Sequence, residues 1–112
     1  MKMTRPLYAA VTALTVVATP ALAADYQCEA TLFDRTARLW LQNDQPVRYQ
    51  WHNRDALSAS MAGNVISIAA TPTATFSNVV IGRTSSGQKA IQGDFEFDGN
   101  GQANVFFVCT EN

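Results

Sequence analysis

Residue types that carry chemistry are sparse in this chain. The single histidine, His52, has Asp55 three residues on, and serines lie elsewhere in the sequence. A small hydrolase built on His52 is therefore one reading of the composition. Against it, no Gly-x-Ser-x-Gly elbow is present, and His52 falls on the polar side of a strand beside Asn53 and Arg54. Asp94-x-Glu96-x-Asp98-Gly99 has the oxygen spacing that opens a calcium loop, but its twelfth position is Val105 rather than a bidentate glutamate. Phe95 and Phe97 fill the intervening places, which is how a half-buried strand reads. One histidine and two cysteines leave too few nitrogen or sulfur ligands for a zinc site. Paired carboxylates on one strand could hydrolyse a glycoside, but a chain this short rarely furnishes the long cleft required. Ser85-Ser86-Gly87 lacks the context of a phosphate loop, and no dinucleotide fingerprint occurs. The expectation is no catalytic residue, no metal and no cofactor.

Binding is better supported than catalysis. Arg83-Thr84-Ser85-Ser86-Gly87-Gln88-Lys89 is the most polar run in the chain and lies between two apolar segments. Its two cations would form a positive tip able to meet carboxylates in an acidic cleft. Arg83, Ser86, Gly87 and Lys89 are the expected partner-binding residues. Phe33, Trp40 and Phe106 point outward by strand parity, as aromatics at an interface or on a carbohydrate platform do. The leading expectation is thus a non-catalytic module that binds a protein or glycan, and that acts as an inhibitor. A structural or adhesive envelope component that associates weakly with itself is the second, and the His52 hydrolase the third.

The elements that position these residues are strands. Hydrophobic residues make up 47% of the chain and charged ones 15%, the balance of an ordinary folded domain. Met1 to Arg5 is basic, Leu7 to Ala18 is apolar, and Pro20 precedes Ala21-Leu22-Ala23. That is the pattern of a cleaved export signal over 1–23, too short in its apolar part to span a bilayer. The remaining 89 residues (112 less 23) form a single β domain over 24–112. It carries 6 basic and 9 acidic residues, a charge of −3, which argues against a nucleic-acid binder with its usual basic stripe. Cys28 and Cys109 stand near its two ends, and in a periplasmic or secreted setting an even pair reads as a disulfide. Closing a loop of about 80 residues would stabilise the fold by about 4–5 kcal/mol on chain-entropy grounds.

Period-two alternation recurs along the domain with a turn every six to twelve residues. Val47, Tyr49 and Trp51 share one face, as do Ile91, Gly93, Phe95 and Phe97, and Ala103, Val105, Phe107 and Cys109. Asp34-Arg35-Thr36, Asn43-Asp44-Gln45-Pro46, Asn53-Arg54-Asp55, Ala62-Gly63-Asn64, Thr71-Pro72-Thr73 and Asp98-Gly99-Asn100-Gly101 are the turns. About eight strands with short connections predict an antiparallel meander. Both cysteines fall on the inner parity of the first and last strands, so a bond between them makes those strands neighbours. A closed or nearly closed eight-stranded β-barrel follows, with a two-sheet sandwich as the alternative.

Tyr26-x-Cys28 at the start, Ser86-Gly87-x-Lys89 late in the chain, Gly99 to Ala103 before the final strand and the closing Cys109 resemble a known pattern. It is similar to that of the small bacterial envelope proteins that inhibit c-type lysozymes. The resemblance implies an exported eight-stranded barrel tied by a disulfide between its ends. It also implies a serine-glycine loop that enters the lysozyme cleft, with Ser86 and Lys89 in contact. The glycine expected after the first cysteine is replaced by Glu29-Ala30-Thr31, Ala90 stands where an aromatic follows the basic residue, and no Trp-x-Lys-Gly element is present.

Overall fold

The computed structural model describes residues 25–112, and the segment read as an export signal lies outside them. Eight strands follow one another: β1 (Tyr26–Leu32), β2 (Arg35–Gln42), β3 (Gln45–Trp51), β4 (Leu57–Ala62), β5 (Val65–Ile68), β6 (Ala74–Arg83), β7 (Lys89–Phe97) and β8 (Asn100–Glu111). Each pairs antiparallel with the next, and β8 returns to β1, closing the barrel. The sandwich is thereby ruled out. Cys28 is paired in register with Cys109 across the closing seam, and the two form a disulfide.

Alternation explains the filling. Cys28, Leu39, Leu41, Ile66, Phe76, Ile91, Val105 and Phe107 all point inward and are essentially inaccessible. Phe76 sits at the centre, 4.9 Å from Phe95 and 5.4 Å from Phe107, ring centroid to centroid. Outward positions carry Glu29, Arg38, Arg48, Ser58, Ser60, Gln92 and Glu96. This apolar-in, polar-out order is the reverse of a barrel that faces lipid. Among the described residues no helix is long and apolar enough to cross a membrane.

Turns are shorter than the sequence suggests. The β1–β2 turn is Phe33-Asp34 and the β2–β3 turn Asn43-Asp44, each with positive φ at both residues. That is the backbone of two-residue hairpin turns, whose twist matches the flanking strands. Arg35 and Thr36 therefore belong to β2, and Gln45 and Pro46 to β3.

Three bulges break the expected parity. On β3, Leu41 pairs with Pro46 while Trp40 pairs with Arg48, so Val47 is the extra residue and turns outward. Pro46 takes the inner place and is buried. On β6 the register slips between Ser77 and Val80, where Asn78 has a φ of 53°. On β8 it slips opposite Gly93–Phe95, at Asn104 with a φ of 57°, and Ala103 is exposed instead of inward. An inserted residue reverses every side chain beyond it.

Candidate functional site

The meander places alternate connections at opposite ends of the barrel. One end holds the turns after β2, β4 and β6 together with Asp25 and Asn112, the first and last described residues. The other holds those after β1, β3, β5 and β7.

The first end is closed by polar contacts. Lys89 is the first residue of β7 rather than part of the loop, and it shares the inward parity of Ile91. It is 9% exposed. Its Nζ lies 2.6 Å from Asp44 Oδ1 and 5.1 Å from the Tyr26 ring. The Asp25 carboxylate accepts a hydrogen bond from the Asn43 N–H, and Gln88 Nε2 donates to the Cys109 carbonyl. The connection from β6 to β7 is internally braced. Arg83 Nη1 donates to the Gly87 carbonyl at 2.9 Å, the Thr84 and Ser86 hydroxyls meet at 2.8 Å, and the Gln88 N–H donates to Thr84 Oγ1. Ser86 and Gly87 are exposed at its tip. Of the four residues expected to bind a partner, Arg83, Ser86 and Gly87 share this tip, while Lys89 is folded inward and paired.

The second end is open. A cavity of about 480 Å³ lies there, lined by Leu32, Phe33, Tyr49, Trp51, Leu57, Ile68, Ala70, Ala74, Phe95 and Phe97, with Arg54, Asp55 and Asn100 at its rim. Phe33, expected on the outer face of β1, sits instead in the hairpin turn and folds over the mouth, 5.8 Å from the Phe95 ring. Trp51 is fixed by its Nε1, which donates to the Leu32 carbonyl at 2.8 Å. The Arg54 guanidinium lies 5.7 Å from the Trp51 ring centroid, and Gln50 Nε2 donates to the Arg54 carbonyl. Tyr49 is only 5% exposed, and burial pushes its phenol well above the ordinary value of 10.0.

One feature widens this mouth. Pairing of β1 with β8 runs from Tyr26–Glu111 to Glu29–Val108, and the rest of β1 diverges. There the Gln102 side chain replaces the ladder, its Oε1 accepting from the Phe33 N–H and its Nε2 donating to the Thr31 carbonyl. Pairing of β3 with β4 is limited to Arg48–Ser58 and Tyr49–Leu57, next to the mouth, and residues 45–47 and 59–62 toward the other end are not paired with each other. Sequence alternation places Tyr49, Trp51, Phe95 and Phe97 inward. It does not show that they leave a space.

The remaining candidates are scattered. His52 is exposed with a φ of 54°, its ring packed edgewise on Trp51 and its N–H donated to the Thr36 carbonyl. No hydroxyl or carboxylate is hydrogen-bonded to its imidazole among the described residues. Asp94 accepts from Asn78 Nδ2 at 3.0 Å and from the Asn104 N–H at 2.9 Å, so one carboxylate holds both bulges that flank β7. These bonds, the one from Asn78 foremost, lower its pKa. No group of three or more metal-ligating side chains gathers among the described residues. Outside, Arg48 stacks on Trp40 at 4.4 Å, while Phe106 and Val80 stand 46% and 65% exposed on either side of Gln92. No protein-family model matches the chain, and no curated protein or solved structure is significantly similar to it.

Proposed function

We propose that the chain is an exported, non-catalytic binding module whose recognition surface is the open mouth of the barrel. One observation carries this reading: a filled barrel has, at one end, an aromatic-lined cavity of about 480 Å³ with its polar groups at the rim. Barrel mouths are habitual ligand sites, and cavities of about 300–1,000 Å³ suit small molecules. The disulfide and the leader-like first residues support a periplasmic or secreted setting. The test is to fill the mouth with Ala70→Trp and compare ligand-induced amide shifts with the unaltered, oxidised protein. Naphthalene should shift residues around Trp51 and Phe95 in the parent and lose its effect in the variant. Shifts confined to residues 83–88 would sink the proposal.

A second reading rests on the braced tip. The Arg83–Gly87 hydrogen bond and the contact between the Thr84 and Ser86 hydroxyls present Ser86 without depending on an external partner, as an inhibitory loop requires. By its resemblance to the lysozyme inhibitors, the chain would then bind a c-type lysozyme through Ser86, with Arg83 rather than Lys89 as the available cation. Lysozyme binding that Ser86→Ala weakens and Ala70→Trp does not would place recognition at this end.

A further inference from the structure

We infer that the barrel mouth takes a small, mostly apolar molecule bearing one neutral oxygen, which meets the Tyr49 hydroxyl. The inference rests on the reading of the mouth as the recognition surface and adds the class of ligand. Size comes first. A cavity of about 480 Å³ lies in the lower part of the range of about 300–1,000 Å³ that holds small molecules, which suits a one- or two-ring compound. The walls are next: Phe33, Trp51, Phe95 and Phe97 offer ring faces and edges, and Leu57 and Ile68 aliphatic surface. Such a lining rewards apolar and aromatic bodies.

Tyr49 decides the polar part. Its ring is held between Phe76 at 6.0 Å and Phe95 at 6.4 Å, and it lines the cavity. The Trp51 indole N–H beside it is satisfied by a backbone carbonyl. No side chain or backbone group among the described residues is hydrogen-bonded to the Tyr49 hydroxyl. A buried hydroxyl without a partner is costly, and such groups ordinarily find one. A ligand oxygen in the cavity supplies it. That oxygen should be uncharged, because an ion beside a phenol in this apolar surround would lose its hydration. Burial raises the phenol's pKa and so keeps it a donor. At the rim Arg54 and Asp55 have opposite charges, so no single-sign field draws an ion inward.

The experiment compares three probes of one shape against the oxidised chain, by amide-shift titration: naphthalene, 2-naphthol and 2-naphthoate. In the parent, 2-naphthol should bind about tenfold more tightly than naphthalene, the worth of one buried hydrogen bond. The carboxylate should bind more weakly than the naphthol. Tyr49→Phe should erase the naphthol preference and leave naphthalene within about twofold, since it removes only the hydroxyl. Equal affinity for naphthol and naphthalene in the parent, or a preference that survives Tyr49→Phe, overturns the role of Tyr49 while leaving the mouth as the site. Absence of binding by all three probes overturns both readings. Ala70→Trp serves as a second variant: it should abolish naphthol binding, and retained binding counts against the cavity.

Discussion

Replacing Lys89 by alanine should destabilise the barrel by about 2 kcal/mol, although a lysine beside a polar loop is ordinarily dispensable. The side chain is nine-tenths buried, with its stem inside the barrel end and its ammonium against Asp44 and the Tyr26 ring. Truncation removes the Cγ, Cδ and Cε methylenes, about 0.8 kcal/mol each when buried. The ion pair adds about 1 kcal/mol, held low because Asp44 is 62% exposed. Rotamer freedom regained by the unfolded chain offsets up to about 2 kcal/mol. For a domain of this size the net loss corresponds to a fall in Tm of about 10 °C. Lys89→Met, which retains the stem, should cost no more than about 1 kcal/mol. Asp44→Asn keeps a residue tolerant of the turn's positive φ but leaves the ammonium without its carboxylate, for about 1–2 kcal/mol. Urea unfolding of the three variants and of the Lys89→Met/Asp44→Asn double variant closes a cycle with a coupling of about 1 kcal/mol. Ser86→Ala, exposed at the loop tip, serves as the control at under about 0.5 kcal/mol. A Lys89→Ala variant as stable as that control would refute the inward placement of the lysine.

Reduction of Cys28–Cys109, which spans a sequence separation of 81, should lower stability by about 4–5 kcal/mol, read as a shift of the urea midpoint. Gly93→Ala should cost about 1–3 kcal/mol by overpacking, because a Cβ there would lie 3.2 Å from Val79 Cγ2 and 3.3 Å from Phe76 Cβ and the Ser77 carbonyl; unchanged stability would mean the β6 bulge yields readily. Asp94 has a folded pKa below its unfolded value of 3.8, so its contribution is present above that value and is lost as pH falls through the folded one. Acid titration of Asp94→Asn should therefore show a shallower decline below about pH 4 than the parent. Sedimentation over a concentration series should show monomer with at most weak association, and Phe106→Ser should remove any association that depends on the outer face of β7 and β8.

Alternation and turn chemistry made the strand count, the meander and the cysteine pairing legible from residues alone. Cys28 and Cys109 share inner parity at the two ends of an antiparallel ladder, which favours closure over a sandwich, and the pairing of β8 with β1 decides it. The bulges were the hidden part. Nothing in Gln45-Pro46-Val47 marks Val47 as the extra residue, because proline and valine both suit an inner place and only the partner strand's register chooses. At Asn78 and Asn104 a signal existed: asparagine tolerates positive φ more readily than most residues, and both stand within otherwise alternating strands. Lys89 was also readable, since it lies on the parity of Ile91 and Gly93. Polar composition concealed it among the loop residues. The cavity itself was not legible, for it depends on where strands part rather than on which residues they carry.

That parting gives the two ends their different roles. At the closed end the disulfide, the Lys89–Asp44 pair and the bonds from Asn43 and Gln88 tie Asp25, β1 and the end of β8 to their neighbours. Rigidity there costs nothing in access, because the barrel's contents at that end are already packed side chains. At the open end β8 gains a residue at its bulge, β1 leaves the ladder after Glu29, and one glutamine side chain bridges the divergence. Backbone groups that a regular ladder would pair with each other are paired with an amide instead, so the strands separate without leaving those groups unsatisfied. The space this opens is bounded by Leu32 on one side and Asn100 on the other, the residues that flank the split. A barrel paired regularly to both ends would draw these walls together and let Tyr49 and Trp51 pack against them. The same substitution of side chain for backbone that relaxes the seam thus creates the cavity, and it does so on rigid strands whose far ends are cross-linked.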